Sequence, residues 1–154
     1  TDSYLYANTS DGISAYSINS TTGALTELSG SPFGTGSGFS DIAMHPDGDL
    51  LFHADTGSFG GTATVYIYGI NPSTGALTAT GNSFTFADSH GFHEMTRNGR
   101  YFMALNLNSM EPDTLDIWEF SKSSGTATQM ADSPFELPLV EWGYVMSALI
   151  PETP

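Results

Sequence analysis

An all-β fold, a β-propeller of three four-stranded blades, is predicted by three observations in the sequence. A turn motif recurs: Gly23-Ala24-Leu25-Thr26 returns as Gly75-Ala76-Leu77-Thr78 and, weakened, as Gly125-Thr126-Ala127-Thr128. Alternating β-branched and aromatic runs precede each copy: Ile13 to Ile18, Val65 to Ile70, and Leu115 to Phe120. Ser31-Pro32-Phe33, the degenerate Asn82-Ser83-Phe84, and Ser133-Pro134-Phe135 follow them. A period of about 50 residues with short alternating strands is the mark of a propeller blade. No apolar stripe at the helical period of about 3.6 residues competes with this reading.

The strands follow in order. Phe39 to His45 is a first strand, ended by the turn Pro46-Asp47-Gly48. Leu50 to Ala54 is a second, and Thr64 to Ile70 a third, rich in residues that suit a pleated sheet. Asn71-Pro72-Ser73-Thr74-Gly75 turns the chain, and Ala76 to Thr80 opens a short fourth strand. The next unit repeats the pattern with His93 to Met95, the turn Arg97-Asn98-Gly99, Tyr101 to Leu105, Leu115 to Phe120, and Thr126 to Met130.

The units are out of phase with the chain. Asp2 to Asn8 aligns with the second strand Asp49 to Asp55, and Gly143 to Pro151 aligns with the first strand Gly38 to Pro46. The predicted units are therefore 1–37 completed by 143–151, then 38–88, then 89–142, a half-propeller with circularly offset termini. Rings have about four to eight blades, so three leave strand edges to be covered by something else. The run Tyr144 to Ile150 is expected to pair with the blade that begins at Tyr4, usually in another copy or a second half-propeller, closing a ring or running on as a filament.

Composition excludes several function classes. Apolar residues make up 39% of the 154, enough for a packed core. Three Lys and Arg stand against 17 Asp and Glu, a net charge of −14. Nucleic acid is not an expected partner, because nothing here neutralises a row of phosphates. Anionic membrane surfaces are disfavoured for the same reason, and no stretch of about 18 apolar residues predicts a membrane span. The absence of cysteine removes disulfides, thiolate metal sites and thiol nucleophiles. Two glycosylation sequons begin at Asn8 and Asn19. Together with the acidity, the scarcity of lysine, and an opening Thr1-Asp2-Ser3-Tyr4 that suits a processed start, they predict a secreted, extracellular glycoprotein.

Tyr4-Leu5-Tyr6-Ala7-Asn8, the Thr-Gly-Ala-Leu-Thr turns at 22–26 and 74–78, Ser-Pro-Phe at 31–33 and 133–135, and His45-Pro46-Asp47-Gly48 carry a resemblance. The chain resembles the lactonase-like seven-bladed propellers with Tyr-Val-Thr-Asn repeats, which include bacterial 6-phosphogluconolactonases and fungal carboxymuconate cyclases. It has about half their usual length. The resemblance implies a small carboxylate-bearing lactone as substrate or ligand, handled by a histidine, acidic residues and an arginine.

His90-Gly91-Phe92-His93-Glu94 is the densest polar cluster and lies just before and inside a first strand, the strand that lines a propeller channel. His93 or Glu94 is a candidate general acid–base, His90 a candidate for orienting substrate, and Arg97 a candidate carboxylate clamp. Asp41, Glu141 and Trp142 occupy comparable places and are candidate substrate contacts. The competing reading makes all of these packing or loop residues. His45 reads as part of a structural turn, and His53, which aligns with Tyr6 and Ala104, as a packing position. No cofactor is expected, and no spacing of His and Glu predicts a metal site. Neither a nucleophile elbow nor a phosphate-cradling loop is present; glycines 57, 60 and 61 join two strands.

Two functions remain open at this point. One is a lactonase or carboxymuconate-cyclase-like enzyme. The other is a non-catalytic secreted or surface module that binds glycan or protein, or assembles through its blade edges.

Overall fold

The computed structural model describes residues 3–36, 40–55, 62–86, 93–106 and 112–137. They form an all-β, propeller-like arrangement of three antiparallel sheets. The first sheet holds β1 (Ser3–Thr9), β2 (Gly12–Ile18) and β3 (Leu25–Glu27), in that order. The second runs β4 (Ser40–Met44), β5 (Leu50–Asp55), β6 (Ala63–Ile70) and β7 (Leu77–Phe86). The third runs β8 (His93–Met95), β9 (Tyr101–Asn106), β10 (Thr114–Ser121) and β11 (Thr126–Gln129), with β12 (Phe135–Glu136) also on β10. Among the described residues no helix is long and apolar enough to cross a membrane. The segment expected to complete the first unit, 143–151, lies outside the described residues, as do glycines 57, 60 and 61.

The repeated turns close by one chemistry. Asn19 Oδ1 accepts the amides of Thr21 and Thr22, and Asn71 Oδ1 accepts those of Ser73 and Thr74. In all three copies the glycine amide returns to the carbonyl of the residue four before it, at 2.8 Å: Gly23 to Asn19, Gly75 to Asn71, Gly125 to Ser121. A short polar side chain that bonds its own downstream backbone makes such a turn self-sufficient. The Ser-Pro-Phe copies also behave alike. Ser31 Oγ accepts the Ala15 amide, and Ser133 Oγ accepts the Ile117 amide. The degenerate copy departs: Asn82, Ser83 and Phe84 lie within β7, which continues to Phe86 past an irregularity between Tyr66 and Tyr68. Without the proline every residue there keeps the amide a ladder needs.

Alternation along the strands sets the packing. In β5, Phe52 and Ala54 point to one face and Leu51 and His53 to the other. The first pair joins Val65, Phe84, Phe102 and Phe120 in the main core between the second and third sheets. Phe52 meets Phe120 edge-on at 5.0 Å, and Phe84 meets Phe102 likewise at 5.3 Å. Such pairs contribute about 0.5–1.5 kcal/mol beyond the area they bury. Leu51 packs with Ile13, Tyr68 and Leu77 in a second cluster between the first and second sheets. Tyr6 ties those two sheets by donating its hydroxyl to Gly75 O at 2.7 Å.

The strand registers define two ends. At one end sit Asn8, Ser40, Asp55, Thr64, His93, Asn106 and Thr114, as the pairs Ser40 with Asp55, Asp55 with Thr64, and Asn106 with Thr114 require. At the other end sit the hairpin turns at 45–49, 71–75, 96–99 and 121–125.

Candidate functional site

A continuous string of polar contacts crosses the first end. Asn8, the next-to-last residue of β1, donates its side-chain amide to Ser40 O at 2.6 Å and accepts Ser40 Oγ at 2.9 Å. The next residue, Asp41, projects to the opposite face of β4. Its Oδ1 accepts the amide of Ile42 at 2.8 Å, and its Oδ2 accepts the amide of His93 at 2.9 Å. The same Oδ2 lies 3.4 Å from His93 Nδ1. Three sheets are thus joined through Asn8, Ser40, Asp41 and His93.

Asp41 and His93 differ in access. His93 is enclosed, its ring stacked on Phe102 at 5.9 Å and tilted against Phe86 at 5.5 Å. The Asp41 side chain keeps 36% of its surface exposed. Burial pushes its carboxyl up. The neighbouring His93 ring and the backbone amides of His93 and Ile42 together outweigh that and hold it below the ordinary carboxylate range. Asp41 is therefore an ionised acceptor that reaches solvent, and His93 is the residue that fixes its direction.

The other candidates separate. Glu94 follows His93 on β8 but pairs with Met103, on the face of the third sheet opposite to His93. Arg97 is exposed in the turn closed by Gly99 N to Thr96 O, at the far end of the strand. The structure brings Asp41 to His93 and leaves Arg97 away from both. His90, Glu141 and Trp142 lie outside the described residues.

At the far end the polar groups answer one another. His45 is buried, its Nδ1 accepts the Asp47 amide at 3.2 Å, and its ring meets Phe120 edge-on. Asp47 and Asp49, with His45, form a grouping of metal-ligand type. A lysine ammonium already answers those carboxylates: Lys122 pairs with Asp47, and with Asp49 at 2.7 Å. Arg100 pairs with Glu119 at 2.9 Å.

His53 was not among the candidates. Its ring is fully buried between the first two sheets, 6.5 Å from Tyr68, and among the described residues neither ring nitrogen has a hydrogen-bond partner. Burial lowers its pKa, while the charges of Asp55 and Asp41 act the other way. Repeat alignment marks the position as packing, and nothing in the sequence flags an unsatisfied ring.

Solved structures share this fold. A periplasmic gluconolactonase from Pseudomonas aeruginosa matches with a TM-score of 0.64 over 82% of this chain, at 18% identity. Candidate 6-phosphogluconolactonases from Bacteroides fragilis and Bacteroides uniformis match with TM-scores of 0.61 and 0.62, each over 87% of this chain, at 19% and 18% identity. The fold is lactonase-like. This chain spans only 36–37% of the length of those proteins. No protein-family model and no curated protein matches the sequence.

Proposed function

We propose that this chain is a three-bladed portion of a lactonase-like propeller, and that the end carrying Asn8, Ser40, Asp41 and His93 binds a small lactone and opens its ring. The observation that carries the reading is the fold likeness combined with Asp41, an ionised carboxylate aimed by His93 and still open to solvent. In ring opening, the oxygen of a water bonds to the lactone carbonyl carbon, and the bond from that carbon to the ring oxygen breaks. The water's proton passes to a carboxylate and then to the departing ring oxygen, which leaves as a hydroxyl. Asp41 orients the water or a substrate hydroxyl. Glu94, one residue beyond His93, is the proposed acid–base if the ligand also reaches that face, with His90 orienting the substrate. Glu141 and Trp142 are proposed substrate contacts.

The test is a hydrolysis assay over a lactone panel with purified protein. Turnover reduced at least about tenfold by Asp41→Asn supports the reading. No turnover of any lactone, or turnover unchanged by Asp41→Asn, removes it.

A second reading rests on different residues. Leu5 and Leu25 in the first sheet, and Met130 and Phe135 by the third, are exposed apolar side chains, at 37%, 50%, 37% and 41%. They suit a chain whose outer sheets pack against further blades, another copy, or a glycan or protein partner. Native mass before and after deleting 144–154 tests it: an unchanged compact monomer in both cases excludes assembly through that segment. A secreted, extracellular location is proposed with either reading, supported by the sequons and by one periplasmic neighbour.

A further inference from the structure

The sequence contains three cationic side chains, Arg97, Arg100 and Lys122, and the structure describes all of them. Each sits at the end of the sheets opposite to Asp41. Arg97 is in the β8–β9 turn, four residues past His93, about 13 Å of extended chain at roughly 3.3 Å per residue. Arg100 is held by Glu119, and Lys122 by Asp47 and Asp49. The site end carries Asp41 and Asp55 instead, with Glu94 on the face of β8 opposite to His93. The segments outside the described residues contain no Lys or Arg, so they add none.

We infer that the ligand taken at the Asp41 end is an uncharged, hydroxyl-rich lactone, and that this chain disfavours phosphorylated and carboxylated lactones there. The inference rests on the lactone-opening reading above and narrows it. It departs from the carboxylate-bearing lactone that the sequence resemblance implies. A phosphate or carboxylate is recognised through Arg or Lys, most tightly by a bidentate guanidinium. With no such group from this chain's own residues at this end, an anionic lactone meets ionised Asp41 and the field of a chain with net charge −14. Neutral hydroxyls suit the groups that are present. Carboxylates and the Asn8 and Ser40 pair accept or donate hydrogen bonds without needing a countercharge.

The experiment compares gluconolactone, 6-phosphogluconolactone and a glucarolactone on the purified full chain at pH 7.5 (a value about one unit above the ordinary histidine pKa), in low and high salt. Hydrolysis rate and thermal stabilisation are both read. The inference predicts kcat/KM at least about tenfold higher for gluconolactone at low salt, with the gap narrowing as salt screens the repulsion. Asp41→Asn and, separately, Asp55→Asn narrow the gap at low salt, with circular dichroism confirming the fold of each. Equal or better use of 6-phosphogluconolactone overturns the inference and leaves the lactonase reading standing. A gap that ignores both salt and the two variants also overturns it. If none of the three is hydrolysed or stabilises the protein, the lactonase reading fails and takes the inference with it.

Discussion

Asp41 on β4 meets His93 on β8 through one oxygen: Oδ2 accepts the His93 amide at 2.9 Å and lies 3.4 Å from Nδ1 of the same residue. The contact joins two sheets at the end where the candidate site lies. A carboxylate that accepts backbone N–H groups and lies beside an imidazole is more stable ionised than it is in the unfolded chain.

Asp41→Ala is expected to destabilise the fold by about 1–2 kcal/mol, near the low end for hydrogen bonds to a charged group because the side chain is partly solvated. The sign of the pH effect follows from the lowered folded pKa. Its contribution is fully present above the unfolded value of 3.8 and is lost as pH falls through the folded value. Urea unfolding at neutral and acidic pH checks this. The native protein must lose more stability on acidification than the variant does.

His53 gives the opposite pH signature to a histidine that gains a partner. Its folded pKa lies below the ordinary 6.5, so the unfolded chain binds the proton more readily. Stability from this group is intact above 6.5 and declines as pH falls below it, until the folded value is passed. His53→Leu removes an unsatisfied buried ring and is expected to be neutral or stabilising by about 1 kcal/mol, with a flatter stability profile between pH 7 and 5, about the range of histidine titration. A loss of several kcal/mol would mean that the ring makes a bond the described residues do not contain.

The two sequons are not equivalent. The Asn8 amide nitrogen, which a glycan would occupy, donates to Ser40 O between two sheets. Asn19 uses only its carbonyl oxygen, in an exposed turn. Expression in a glycosylating host followed by peptide mass spectrometry should find glycan on Asn19 and bare Asn8 in folded protein. Folded material fully occupied at Asn8 contradicts the Asn8–Ser40 pair.

Gly48 and Gly99 occupy equivalent turns with φ of +74° and +68°. A Cβ on Gly48 meets nothing, whereas one on Gly99 runs into the His45 ring. Gly48→Ala should therefore show only the backbone strain of about 1–2 kcal/mol, and Gly99→Ala clearly more. Equal thermal shifts for the two variants would place His45 elsewhere.

The sheets were legible because the Asn or Ser turns, the Ser-Pro-Phe copies and strand alternation act locally, through bonds to neighbouring backbone. β7 runs on to Phe86, past the short strand that the sequence predicts, because one missing proline lets a strand continue. The site was only half legible. Asp41 and His93 are both sequence candidates, but 52 residues separate them and their contact depends on how two sheets pack. The placement of Arg97 shows the converse: it is near His93 in sequence, yet a strand carries it to the other end. The buried state of His53 belongs to the interface between two sheets, which no single repeat contains.

The most direct test of the central claim is an amide NMR titration of isotopically labelled protein with gluconolactone. The account predicts shifts concentrated at Asn8, Ser40, Asp41, His93 and their neighbours, with Gly99, Arg100 and Lys122 unmoved. Shifts confined to the turn end around Gly99 and Lys122, or none anywhere at saturating lactone, would contradict it.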